Sequence, residues 1–175
     1  RLLRESLIEK IEERTIKTSH GEFTAMVFQS IVDKSLHVAL TVGAGDFEDN
    51  IADVRVHSQR PLADVFGDAE AGPRLRIEYG MEMLRKTKHG VLLYLTAEDM
   101  TDRIHKDFHE LSKNELHGDF QGSPENGMDM RLYGIGAQIL KNLGIKKMCI
   151  HTTKPRTLKG LGGFCLEVVD QKAIS

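Results

Sequence analysis

The stretch that most constrains this chain is Val91–Leu95, read VLLYL. It is almost entirely apolar but far shorter than the roughly 20 residues a membrane span needs. A run of that length fits a strand covered on both faces. The segments before it are β-rich. Phe23, Ala25 and Val27 alternate with Thr24, Met26 and Phe28, and Leu36, Val38, Leu40 and Val42 alternate with His37, Ala39 and Thr41. This period of two predicts two strands, with Asp33-Lys34 as the turn between them. Ile51–Ser58 predicts another strand, with Val54 and Val56 on one face and Arg55 and His57 on the other. The acidic segment Gly43–Asn50 reads as a loop.

After Pro73, a residue suited to a first helical turn, the period changes. Ile77, Met81 and Leu84 repeat at helical spacing until His89-Gly90, and Ile104, Phe108 and Leu111 do so within 98–113. Gly118–Gly127 is rich in turn residues. Tyr133–Leu143 carries Ile135, Ile139 and Leu143 on one helical face, with Gly144 as its stop. Strands are expected at Met148–Thr152 and Phe164–Val169. Strands first, then strands alternating with helices, predict an α/β domain, or an α+β one, around a mixed sheet. Residues 1–17 place Leu3, Leu7, Ile8 and Ile11 among Arg1, Arg4, Glu9, Glu12 and Glu13, which reads as a charged amphipathic helix. Arg1 is no initiator, so a longer parent chain is expected.

Composition excludes several classes. With 175 residues, 40% apolar and 29% charged, the chain suits one folded domain, or two small ones sharing a core, rather than a disordered segment. A net charge of -2, no tryptophan and no aromatic residues interleaved with basic patches argue against nucleic acid. The two cysteines, Cys149 and Cys165, make neither a disulfide framework nor a four-thiolate metal site, and read as reduced core thiols of a cytoplasmic protein.

Several motifs occur together in a fixed order: Gly21-Glu22-Phe23-Thr24-Ala25, Asp53-Val54-Arg55-Val56-His57-Ser58, Asp64-Val65-Phe66-Gly67, Tyr133-Gly134-Ile135-Gly136-Ala137-Gln138-Ile139-Leu140, then Thr152 and Pro155. In order and near-spacing the chain resembles GTP cyclohydrolase II over about residues 20–170. The resemblance implies a GTP cyclohydrolase II-like fold over 18–175. It makes residues 1–17 a linker helix, like the joint that follows a 3,4-dihydroxy-2-butanone 4-phosphate synthase domain in bifunctional riboflavin-biosynthesis proteins. It further implies a homodimer, and magnesium for that upstream synthase. The family reaction opens the guanine imidazole ring of GTP, releasing formate and pyrophosphate. A zinc ion held by three cysteines activates the water, since three thiolates leave one open position.

The chemistry-bearing residues depart from that pattern. Where the family has its first zinc cysteine, the sequence His57-Ser58-Gln59-Arg60 supplies arginine, and Asp68–Pro73 after Gly67 carries no cysteine. No metal is therefore expected in this domain. His57, Asp64, Asp68 and Glu70 lie near in sequence, but they lack metal-binding spacing and read as structural or solvated groups. The segment after Leu95 has no glycine-rich turn, and Glu98 and Asp99 suit a helix N-terminus. None of Tyr79, Tyr94 and Tyr133 matches the family's catalytic tyrosine.

Other positions are kept. Asp129 and Arg131 match the family's Asp-x-Arg, where the resemblance gives the acid a proton-accepting role and the arginine the α-phosphate; an N-cap with a surface charge is the structural alternative. Arg55 matches a nucleotide-contacting arginine, and Gln59 replaces the glutamate behind it. Thr152 matches, and Lys154, Arg156 and Lys159 keep the following loop basic, so GTP or another phosphate is a conceivable ligand there. The expected function is a zinc-less, catalytically inactive domain that supports or regulates an attached synthase. Two alternatives stand beside it: a hydrolase with a rearranged site, and a nucleotide- or phosphate-binding module.

Overall fold

The apolar run at 91–95 lies inside a seven-stranded mixed sheet. The computed structural model describes residues 6–67, 77–96, 99–112, 130–152 and 166–173. Its strands are β1 (Ile8–Thr18), β2 (Gly21–Ser30), β3 (Leu36–Val42), β4 (Ile51–Ser58), β5 (Gly90–Leu95), β6 (Lys147–Thr152) and β7 (Glu167–Ala173). Their spatial order is β1-β2-β3-β5-β4-β6-β7. The first three form an antiparallel meander that joins β5 antiparallel, whereas β5, β4, β6 and β7 run parallel. Four helices are described: α1 (Pro61–Phe66), α2 (Ile77–Lys86), α3 (Met100–Ser112) and α4 (Met130–Asn142). This is the mixed-sheet architecture that the order of sequence patterns predicts.

The two faces of the sheet differ. On one, Val54, Val56, Val91, Leu93, Leu95, Met148 and Ile150 pack with Ile135, Ile139 and Leu140 of α4. Phe28 and Phe47 complete this core, each worth about 1.5–3 kcal/mol of burial. Phe47 sits in a short 3-10 helix, Ala44–Asp49, within the segment expected to be a plain acidic loop. On the other face, Phe23 and Leu92 pack with Met83 and Leu84 of α2. A Cβ at Gly80 would stand 2.5 Å from Leu92 Cδ1, so glycine there lets α2 lie close on β5. The rest of that face is polar, because β4 alternates: Asp53, Arg55 and His57 point away from the valine side.

The helix expected over residues 1–17 is not what forms from Ile8 onward. Residues 8–18 are β1, an edge strand paired antiparallel with β2 from Ile8↔Ser30 to Thr18↔Gly21. A two-residue turn closes the hairpin. Gly21 takes φ 128°, and Thr18 Oγ1 donates to the Gly21 carbonyl at 2.9 Å. Ile11, which completes the helical stripe, is the residue skipped where the register shifts between Lys10 and Glu12, and it is exposed. Pairing with β2 outweighed a local helical preference worth a few tenths of a kcal/mol per residue. The exposed charges from Lys10 to Arg14 then protect an open sheet edge. The last strand also lies later than expected, at 167–173. No helix among the described residues is long and apolar enough to cross a membrane.

Candidate functional site

Polar groups gather at both ends of β4 on its α2-facing side. At the C-terminal end, one buried carboxylate collects three donors. Asp64 on α1 accepts from His57 Nε2 at 2.7 Å, from the Arg60 backbone N–H at 2.8 Å and from the Tyr94 hydroxyl at 3.1 Å. His57 stacks on Tyr94 with ring centroids 5.7 Å apart. Burial and the neighbouring Asp64 charge push the Tyr94 phenol up to about 12, although a hydrogen bond from Gln59 opposes them.

Arg60 follows directly. Its guanidinium is 2% exposed and pairs at 3.0 Å with Asp107 on α3, which is 0% exposed. The other oxygen of Asp107 accepts the Leu62 N–H at 2.9 Å, capping the first turn of α1. A three-thiolate zinc centre does not fit these residues. The position where the resemblance puts the first thiolate holds a buried cation already neutralised by a carboxylate, and the whole chain has two cysteines. Asp68 and Glu70, weighed as replacement ligands, lie outside the described residues.

At the N-terminal end of β4 the arrangement is different. Asp53 lies opposite Cys149 in the β4–β6 register, and His151 follows two residues on, so all three share one face. Their candidate ligand atoms lie within 4.8 Å of one another. His151 Nε2 is 3.0 Å from Asp53 Oδ1, and His151 Nδ1 is 3.1 Å from the Tyr79 hydroxyl on α2. Thr87 Oγ1 donates to Asp53 Oδ2 at 2.8 Å. Burial would raise the Asp53 carboxyl, but the hydrogen bonds from His151 and Thr87 outweigh it and hold the group below its ordinary value. Burial and the Asp53 charge raise the Cys149 thiol. A cavity of about 380 Å³ opens beside this cluster, lined also by Glu82, Lys86 and Lys172.

The expectation of no metal in this domain took no account of this group, whose residue types and spacing could hold an ion. In the sequence, Cys149 reads as a core thiol, and the residues near His57 are the ones that invite comparison with a metal site. The available signal was the alternation Cys149-Ile150-His151, which puts two metal-ligating types on one strand face.

The remaining sequence-derived positions are dispersed. Arg55 is buried mid-strand and donates from Nη1 to the His151 carbonyl at 3.3 Å. Gln59 reaches Tyr94. Thr152 is buried at the end of β6, on the side of Met148 and Ile150. Arg131 forms an ion pair with Asp33 in the β2–β3 turn, where Lys34 takes φ 63°. Behind that pair runs a relay. The Thr96 N–H donates to His37 Nδ1 at 3.0 Å, His37 Nε2 meets Ser35 Oγ at 2.8 Å, and Ser35 Oγ donates to Asp33 Oδ1 at 2.6 Å. Burial, then the Arg131 charge, lowers His37 to about 4 against the pull of Asp33. Burial of Asp33 is outweighed by the Ser35 and Ser30 hydrogen bonds and by Arg131, which bring it to about 2. Arg131 thus ties the start of α4 to a hairpin turn, while Arg55 lies on the opposite face of the sheet from α4. Asp129 and Lys154, with Glu98, Arg156 and Lys159, lie outside the described residues.

A family model described as GTP cyclohydrolase II matches residues 9–173. The riboflavin biosynthesis protein RibBA of Chlorobium phaeovibrioides is 33% identical over 174 residues, covering 96% of this chain and 42% of that protein. RibBA of Aquifex aeolicus is 35% identical over 185 residues, covering 99% and 44%. The monofunctional riboflavin biosynthesis protein RIBA 3, chloroplastic, of Arabidopsis thaliana is 34% identical over 171 residues, covering 95% and 33%. The chain thus spans less than half the length of these relatives. In fold it is similar to RibBX, a two-domain 3,4-dihydroxy-2-butanone 4-phosphate synthase from A. baumannii, with a TM-score of 0.68 at 24% identity, covering 99% of this chain and 42% of that one. With the family match spanning both ends of the sheet, from β1 to β7, the chain belongs to the GTP cyclohydrolase II family.

Proposed function

We propose that this chain serves riboflavin biosynthesis as a family domain without the three-cysteine zinc centre, inactive as a GTP cyclohydrolase. In this reading it supports or regulates a 3,4-dihydroxy-2-butanone 4-phosphate synthase domain attached upstream in a homodimeric, cytoplasmic parent protein. The buried Arg60–Asp107 pair carries the reading. It sits where the resemblance puts a zinc thiolate, and a fixed guanidinium supplies no activated water. The names of the relatives and the two-domain description of RibBX support the pathway and the attached synthase, while the homodimer follows from the family resemblance alone. Magnesium would belong to the synthase domain. Asp129 and Arg131 would be vestiges of the ancestral substrate site.

The test uses the parent protein, whole and truncated near Thr18. Removing the domain is expected to change the oligomeric state or the synthase kinetics, and GTP with zinc or magnesium is expected to release no formate. Identical kinetics, stability and assembly after truncation, or formate above background, would overturn the reading. A second reading, capture of GTP or another phosphate without turnover, is favoured by Lys86 and Lys172 at the cavity. Calorimetry with GTP at low salt distinguishes it, an absent heat signal removing it.

A further inference from the structure

We infer that Asp53, Cys149 and His151 form a binding site for one divalent transition ion of borderline softness, of the zinc or cobalt(II) class, with a fourth position open to the adjoining cavity. The site shares no residue with the Arg60 end of β4 and stands independently of the function proposed above.

Four observations carry it. First, the donor set is one carboxylate oxygen, one sulfur and one imidazole nitrogen, all within 4.8 Å of one another. Zinc–ligand bonds of about 2.0–2.3 Å put tetrahedral ligands about 3.3–3.8 Å apart, so closure about an ion asks for shifts of about 1 Å or less. Second, the three residues stand on two adjacent strands of the sheet interior, Asp53 opposite Cys149, so rigid elements fix their spacing.

Third, the outward atoms are already held. Thr87 holds Asp53 Oδ2 and Tyr79 meets His151 Nδ1, which leaves Oδ1 and Nε2 facing one another beside the sulfur. Metal-ligating imidazoles and carboxylates are commonly oriented by such partners. With Nε2 on an ion, the Nδ1–H would donate a hydrogen bond to the Tyr79 oxygen. Fourth, the charges balance. A carboxylate and a thiolate neutralise a divalent ion, and at the cavity Lys86 and Lys172, set against the one carboxylate of Glu82, leave room for an anion or hydroxide as the fourth ligand.

The ordinary alternative is a hydrogen-bonded Asp–His pair that packs against a buried thiol. The two differ in what cobalt(II) would show. Titration of the chain with cobalt(II) chloride is expected to produce a thiolate-to-cobalt charge-transfer absorption at one equivalent, with the intense visible bands of a four-coordinate ion, both removed by zinc. The Cys165→Ser variant, whose one remaining thiol is Cys149, should keep the spectrum. Asp53→Asn and His151→Gln should weaken binding at least tenfold. His105 and His109, whose rings lie 4.6 Å apart on α3, can also chelate a metal, but give no sulfur band.

No charge-transfer band at millimolar cobalt in the unmodified chain would overturn the site. So would a band lost in a folded Cys165→Ser protein, or affinities unchanged in Asp53→Asn and His151→Gln. The unmodified chain alone can refute the proposal, so a misfolded variant does not shield it. A silent cobalt titration sinks this site and leaves the proposed function standing; formate from GTP does the reverse.

Discussion

The two ends of β4 are built from the same kinds of residue and come to opposite states. At the Ser58 end, His57 and Tyr94 donate to Asp64, and the buried Arg60 guanidinium is ion-paired with Asp107, in a sealed network. At the Asp53 end, a carboxylate, a thiol and an imidazole converge beside an open cavity. The network that joins Arg131, Asp33, Ser35 and His37 likewise holds its groups on one another, with His37 buried and the Arg131–Asp33 pair partly exposed. The difference teaches that polar residues on a buried sheet face do not by themselves mark a binding site. What separates a structural network from a reactive one is whether a group is left with a face toward solvent.

Breaking the sealed end should give the largest effect. Asp107→Ala leaves the Arg60 guanidinium buried without its carboxylate and is expected to cost about 3–5 kcal/mol in equilibrium denaturation. The double variant Arg60→Met with Asp107→Leu should recover most of that loss. If the single variant is as stable as the parent, the pair does not lock this end.

Acid should open the network around His37. His37 is neutral and buried, with its folded value near 4, below the ordinary 6.5. Its contribution, on the order of 3 kcal/mol, is therefore complete above pH 6.5 and is lost as the pH falls toward 4. Asp33, held near 2, keeps its ion pair with Arg131 through that window. Chemical denaturation from pH 4 to 7 should show the slope, and His37→Gln should flatten it.

Asp64→Asn tests how tightly the sealed end is matched. It keeps the shape but exchanges an acceptor for a donor among three donors, at an expected cost of about 1–3 kcal/mol. A neutral result would mean that the amide flips without loss.

The smallest change should sharpen the contrast at the open end. Thr87→Val removes the donor to Asp53 and should lower stability by only about 0.5–1.5 kcal/mol, while weakening cobalt binding about 10–100-fold. Equal affinity would show that Asp53 is not positioned by Thr87.

Much of the fold was legible because its signals are local. The alternation in 51–58, the apolar run at 91–95 and the stripe of Ile135 and Ile139 before Gly144 each became the predicted element. The first segment was misread. Its spacing satisfies a helix, and only the presence of β2 as a pairing partner makes it a strand. Of the candidate site, the arginine at position 60 was plain in the sequence. That Arg60 would be paired was not, because Asp107 is 47 positions away on another helix.

The amino-acid sequence alone determined the family, the mixed α/β layering and the absence of three cysteines, since each is carried by residue type and short-range spacing. Tertiary structure decided which polar groups meet. Asp53 reaches His151, and Arg131 reaches Asp33, across 98 positions. Hydrogen bonds and metal ligation act over a few ångströms, and only strand register and helix packing bring residues so distant in the chain within that range.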